Sequence, residues 1–179
     1  NSFNYDPKKV VIDKFPLNLL ELGFIKTIFP NSKIILAIRH PLDCIISCVL
    51  TAFKINEAML NFENLETTAL FYNKAFKLLN KYIEFFNINL HLIKYEYVVS
   101  DFDNQIKKLL NYLNLEFEDS VINFYETAKK REQIHTPSYE QVVKPLYSNS
   151  INRHLNFNDI KKIIPEVESW ITYYSYNKP

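Results

Sequence analysis

Apolar positions along this chain fall into two kinds of pattern. Three short runs lack polar alternation: Val10-Val11-Ile12, Ile34-Ile35-Leu36-Ala37-Ile38 and Leu90-His91-Leu92-Ile93. Each reads as a strand covered on both faces, as in a parallel sheet. Between them the apolar spacing lengthens to helical period. Asn18 to Phe29 places Leu19, Leu22, Ile25, Ile28 and Phe29 on one face, and Pro30 stops it. A helix opens at Pro41, well suited to a first turn, and runs to about Phe53. Glu66–Phe86, Asn104–Leu113 and Val121–Ala128 follow, and two short helices, Asn158–Ile164 and Glu166–Tyr174, close the chain. From Lys129 to Arg153 the periodicity fails, and a long loop is predicted there, of the kind that tends to carry function. Strand–helix alternation predicts one α/β domain over residues 1–179, a parallel sheet with helices on both faces. Ligands in such sheets bind at the carboxyl ends of the strands. Arg39-His40-Pro41 and Lys94-Tyr95-Glu96 fall there.

Composition narrows the chemistry. The chain is 47% hydrophobic and 23% charged, enough to bury a core. A formal net charge of +1 argues against a general nucleic-acid binder, which needs a strongly basic face. A small anionic ligand needs only a few local cations. Gly23 is the only glycine, whereas phosphate-cradling loops need glycine for close backbone approach. Either no nucleotide binds or that loop lies outside this sequence, and a first residue of Asn rather than Met favours the second. Cys44 and Cys48, four residues apart on a helix, read as neighbouring buried thiols and not as a disulfide framework. His91, His135 and His154 show no metal-ligand spacing. No run of about 18 apolar residues suggests a membrane span, and a cytoplasmic protein is expected.

Arg39 ends the second apolar run, and Ser47 lies two turns into the next helix. An arginine at a strand's carboxyl end can fork onto a phosphate with two charge-assisted hydrogen bonds, and a serine hydroxyl can complete the cradle. This segment, IILAIRHPLDCIIS, resembles the 3′-phosphate-binding motif of sulfotransferases that use 3′-phosphoadenosine-5′-phosphosulfate (PAPS). Asp13-Lys14-Phe15-Pro16 resembles their Lys-x-Pro segment, and Tyr95-Glu96 their Tyr-Glu pair. The run from Thr136 to Tyr147, with Ser150 and Arg153, resembles the loop that closes over the nucleotide. Order and spacing are most similar to the protein-tyrosine-type enzymes and their bacterial relatives, which often carry tetratricopeptide repeats ahead of this domain.

The resemblance implies a three-layer P-loop-type sheet flanked by helices, its first strand and phosphate loop lying upstream of Asn1 together with the carboxylate base. The fragment alone would then be inactive. Arg39 and Ser47 would hold the 3′-phosphate, Tyr95 would contact the adenosine, Ser138, Gln141, Lys144 and Tyr147 would line the cofactor, and Arg153 would add a cation. Lys14 and Ser138 would stabilise the sulfuryl group as it passes to a hydroxyl or amine acceptor (peptide, saccharide or small molecule), releasing 3′-phosphoadenosine 5′-phosphate (PAP) with no metal. Two departures leave the acceptor class open: Thr51 stands where the protein-tyrosine enzymes have an arginine, and His154 follows Arg153 where the family often has an aromatic. The sequence leaves two rivals, a small-molecule kinase on the same architecture and a non-catalytic interaction module.

Other residues have plain structural readings. His40 is expected as a turn residue, Asp43 as an ordinary ion-pair partner one helical turn from Arg39, and Glu96 as either a group orienting Lys or Arg side chains or a surface ion pair. Lys129-Lys130-Arg131 reads as a solvated face or a guide for the anionic cofactor, and Trp170 with the tyrosines at 173, 174 and 176 as core packing or an edge contact. Oligomeric state is not legible.

Overall fold

The computed structural model describes residues 9–51, 53, 56–129 and 143–177. Two strands, β1 (Ile34–Ile38) and β2 (Leu90–Lys94), pair in parallel with Ile34 opposite Leu90 and Ile38 opposite Lys94. Around them lie α1 (Leu22–Ile28), α2 (Pro41–Leu50), α3 (Leu65–Phe85), α4 (Tyr95–Ser100), α5 (Phe102–Leu113), α6 (Phe124–Lys129) and α7 (Ile164–Tyr173). Short 3₁₀ turns occupy Pro16–Leu19, Met59–Phe62, Asp119–Val121, Arg153–Asn156 and Asn158–Ile163. The parallel register of β1 and β2 brings their carboxyl ends, and hence Arg39 and Tyr95, side by side.

The core forms because three helices turn apolar stripes toward one another. α2 contributes Leu42, Ile45 and Ile46, α3 contributes Ala69, Tyr72, Phe76 and Leu79, and α7 contributes Val167, Trp170 and Ile171. The α3 residues recur at three- and four-residue spacing, so they share a face. Asn64 caps α3, its side-chain oxygen accepting from the Thr67 amide at 2.9 Å. α5 ends at Asn114 in the left-handed conformation (φ 59°), a common way to stop a helix. The Tyr112 hydroxyl of α5 sits at the start of the sheet, 3.1 Å from the Ile34 amide and carbonyl and 3.0 Å from the Asn89 carbonyl.

The first apolar run departs from expectation. Val10, Val11 and Ile12 form no strand and are 59%, 75% and 76% exposed. A strand exists only against a partner, and none of the described residues offers this run one. Elsewhere the differences are smaller. The helix expected over Asn18–Phe29 divides into the Pro16–Leu19 turn and α1. That expected from Val121 to Ala128 becomes α6 after a 3₁₀ turn, and the one expected over Asn158–Ile164 is 3₁₀ through Ile163. α4, following β2 without a loop, was not legible from spacing.

Candidate active site

Arg39 follows β1 directly, so its backbone is fixed by the sheet while its side chain passes beyond the strand end. A terminal guanidinium nitrogen donates to the Ser150 carbonyl at 2.6 Å. The guanidinium carbon lies 5.6 Å from the centre of the Tyr95 ring, within cation–π range. The same terminal nitrogen is 3.9 Å from Asp43 Oδ2. Arg39 Nε is buried, and no described residue accepts its proton. A buried donor without a partner is costly, and an anionic oxygen in this place would remove that cost.

Tyr95 opens α4 at the end of β2 and donates its hydroxyl proton to the Tyr147 carbonyl at 2.6 Å. Burial pushes the phenol above its ordinary pKa, with the Tyr147 phenol adding to the effect and Arg39 opposing it. The group therefore acts as a neutral donor. Arg39, Tyr95, Tyr147 and Ser150 thus meet across both strand ends.

Asp43 has no exposed surface. Its Oδ1 accepts from the His154 amide and from His154 Nδ1, each at 2.8 Å, and its Oδ2 from the Asn152 amide at 2.9 Å. The carboxylate fixes the His154 tautomer with the proton on Nδ1. His154 stacks on His40, ring centres 4.2 Å apart and planes 14° from parallel. His40 caps α2: its Nδ1 accepts from the Leu42 amide at 3.3 Å, so Nε2 carries the proton and donates to the Asn177 carbonyl at 3.0 Å. Burial holds His40 below its usual pKa, and the charge of His154 adds to this, while the Asn177 carbonyl, Asp43 and Glu96 pull the other way.

The residues at 174–177 cross the strand ends beside this network. Glu96 accepts from the His40 amide at 2.8 Å and from the Tyr176 hydroxyl at 3.1 Å. The Lys94 ammonium donates to the Tyr174 carbonyl and lies 4.6 Å from the Tyr176 ring centre and 5.2 Å from that of Tyr97. A cleft of about 380 Å³ opens between Lys94, Glu96, Tyr97, His154 and Tyr176.

The expected site residues divide into four groups. Arg39, Tyr95 and Tyr147 come together, with Ser150 beside them. Ser47 is half-buried on α2. Lys14, Lys144 and Arg153 are exposed, and none of them bonds to the Arg39 cluster. Ser138 and Gln141 lie outside the described residues. Glu96 is neither an arginine partner nor a surface pair; it holds His40 and Tyr176. Asp43 is more than the one-turn partner of Arg39, since its close bonds reach residues 152 and 154. The signal was present in the sequence as a carboxylate inside an otherwise apolar first turn, Pro41-Leu42-Asp43-Cys44-Ile45-Ile46, where burial demands partners. Cys44 and Cys48 are free and partly buried, and the Cys48 thiol hydrogen-bonded to Cys44 favours ionisation of Cys44 over its own.

Among known proteins, an uncharacterized protein of Aquifex aeolicus (strain VF5) is 25% identical over 159 residues, covering 88% of this chain and 20% of the relative. The chain thus spans about a fifth of that relative's length. The sequence model of the sulfotransferase family matches residues 3–119. That match takes in β1, Arg39, α2, β2 and Tyr95, the elements that build the cluster at the strand ends, and on this ground the chain belongs to the sulfotransferase family.

Proposed function

We propose that this chain carries the 3′-phosphate and adenosine side of a PAPS site and takes part in moving a sulfuryl group to a hydroxyl or amine acceptor. The observation behind it is the Nε of Arg39 at the carboxyl end of β1, buried and without a partner among the described residues. A terminal nitrogen of the same guanidinium is already held by the Ser150 carbonyl. The side chain is therefore oriented before any ligand arrives, and less entropy is lost on binding. The Ser47 hydroxyl, on the helix that Arg39 precedes, would supply a neutral donor. The face of Tyr95 stacks on the guanidinium and its hydroxyl holds Tyr147, so the adenosine side would be lined by residues that brace one another. We read the two paired strands as part of a three-layer P-loop-type arrangement, and the enzyme as one of the protein-tyrosine-type group.

When bound, PAPS supplies the reactive sulfuryl–phosphate bond, and PAP is released. Sulfuryl transfer resembles phosphoryl transfer, an in-line displacement that proteins speed by positioning and aimed positive charge. Lys14 is exposed and free to bring its ammonium to that charge, and Lys144 and Arg153 are exposed cations that would meet the anionic cofactor. Ser138 and Gln141 would line it. The reading assigns Arg39 to binding and Lys14 to turnover. The test is PAP release from PAPS in the presence of acceptor, measured beside PAP binding on protein expressed from the gene's own start codon. Lys14→Ala should leave the PAP dissociation constant within about twofold and cut kcat by about 100-fold, the scale on which one aimed charge acts. Equal losses in both quantities would contradict the division of roles.

A further inference from the structure

We infer that Asp43 is the positioning residue of the Arg39 anion site, an inference that rests on the 3′-phosphate reading above. A fully buried carboxylate beside the arginine expected to bind the 3′-phosphate is a paradox on charge alone. Its field opposes an incoming anion. The bonds explain its presence. Asp43 Oδ2 accepts from the Asn152 amide, and Oδ1 accepts from the His154 amide and ring. These three bonds fasten the 152–154 backbone, which enters at Asn152 in the left-handed conformation (φ 57°), to the first turn of α2. Two residues earlier the same backbone presents the Ser150 carbonyl to Arg39 at 2.6 Å. A closed ring results: Arg39 to Ser150, along the chain to Asn152 and His154, into Asp43, and back one helical turn to Arg39, where Oδ2 stands 3.9 Å from the terminal nitrogen.

The ring fixes the guanidinium in place. One terminal nitrogen is engaged by Ser150 and faced by Asp43, and Nε is buried with no partner among the described residues. Asp43 does not touch the ligand. It acts by holding the backbone that holds the arginine. His154 belongs to the same device: stacked on His40 and bonded through Nδ1, it fills the space behind the carboxylate with a donor. A purely apolar ring there could not bond the carboxylate.

The sign of one measurement separates positioning from charge. Asp43→Asn removes the negative charge, keeps one carbonyl oxygen, and turns an amide donor toward the Asn152 amide or Arg39. If Asp43 acted only through its field, the variant would bind PAP more tightly. Positioning predicts the reverse. The ratio of 5′-AMP to PAP dissociation constants, measured by calorimetry on the full chain, should fall about tenfold (about 1.4 kcal/mol), while 5′-AMP affinity stays unchanged. Partial unfolding alters the apparent stoichiometry and leaves this ratio alone. His154→Leu should lower the ratio a few-fold, and His154→Asn, which keeps a donor near the Nδ1 position, should restore it. That pair decides the matter where Asp43→Asn does not fold. An unchanged or increased ratio in Asp43→Asn, or identical ratios in both His154 variants, overturns the inference. A wild-type protein with no preference for PAP overturns the cofactor reading itself, and the positioning role falls with it.

Discussion

Gly23 lies in α1 where that helix meets α3, and it is buried. Its φ is not positive, so backbone freedom is not what the position requires; space is. A methyl group added to its Cα would stand 2.5 Å from Tyr82 Cε1, 2.9 Å from Cδ1 and 3.0 Å from Cζ. These distances lie inside the about 3.5–4.0 Å optimum for carbon pairs. Two opposed effects follow from Gly23→Ala. Replacing glycine by alanine within a helix stabilises it by about 1 kcal/mol. Forcing a methyl into a filled space costs about 1–3 kcal/mol. Tyr82 is only half-buried, so its ring can yield, and the middle of that range is the better guide. The net expectation is a loss of about 1 kcal/mol, or a fall in Tm of about 2–4 °C for a chain of this size. The assay is thermal unfolding of four proteins in a double-mutant cycle with Tyr82→Ala. In the Tyr82→Ala background the obstruction is gone, and Gly23→Ala should stabilise by about 1 kcal/mol. The sign therefore reverses between backgrounds. Stabilisation by Gly23→Ala in the otherwise wild-type protein would refute the packing of α1 on α3 described above.

Acid stability should depend on His40. Its pKa lies below the ordinary 6.5 because burial disfavours the charged ring. The unfolded chain then binds the proton more readily, so stability is full above pH 6.5 and falls as pH drops below it. His40→Gln, which keeps a donor for the Asn177 carbonyl, should flatten urea midpoints measured between about pH 6.5 and 5.5; a contribution of His91, also lowered by burial, remains in both proteins. An undiminished slope in the variant would contradict the assignment. Asn73→Ala should leave the Trp170 indole N–H, which now donates to Asn73 Oδ1 at 2.9 Å, buried and unpaired. The expected loss is about 1–3 kcal/mol, read as a lower urea midpoint with the fluorescence of the chain's one tryptophan. A loss below about 0.5 kcal/mol, the scale of ordinary surface substitutions, would show that the bond contributes little.

Much of the frame around the site was legible because its signals are local. Ile34–Ile38 reads as a strand from five apolar residues in a row, and Pro41 marks the start of α2 three positions later. α3 announces itself by a long stripe at helical spacing. The Arg39–Tyr95 meeting followed from the rule that parallel strands end together. What could not be read depends on partners distant in sequence. Val10–Ile12 has a strand's composition, but composition does not say whether a neighbouring strand is there to pair with it. Asp43 offered a local partner, Arg39, four residues away. Its three shortest bonds instead reach 109 and 111 residues along the chain, and nothing in a single sequence reports that closure. His40 likewise looked like a turn residue because its cap on α2 is local, while its stack on His154 and its bond to Asn177 are not.

Recognition of a 3′-phosphate by Arg39 is the proposal on which the other roles depend. The measurement that tests it most directly is calorimetric titration of PAP against 5′-AMP, two ligands that differ only in that group, on wild-type protein and Arg39→Ala. Wild type should prefer PAP by about 1.5–3 kcal/mol, the usual worth of a hydrogen bond to a charged group. Arg39→Ala should lose the preference while 5′-AMP affinity is unchanged. Equal affinities in wild type, or a preference that survives in Arg39→Ala, would contradict it.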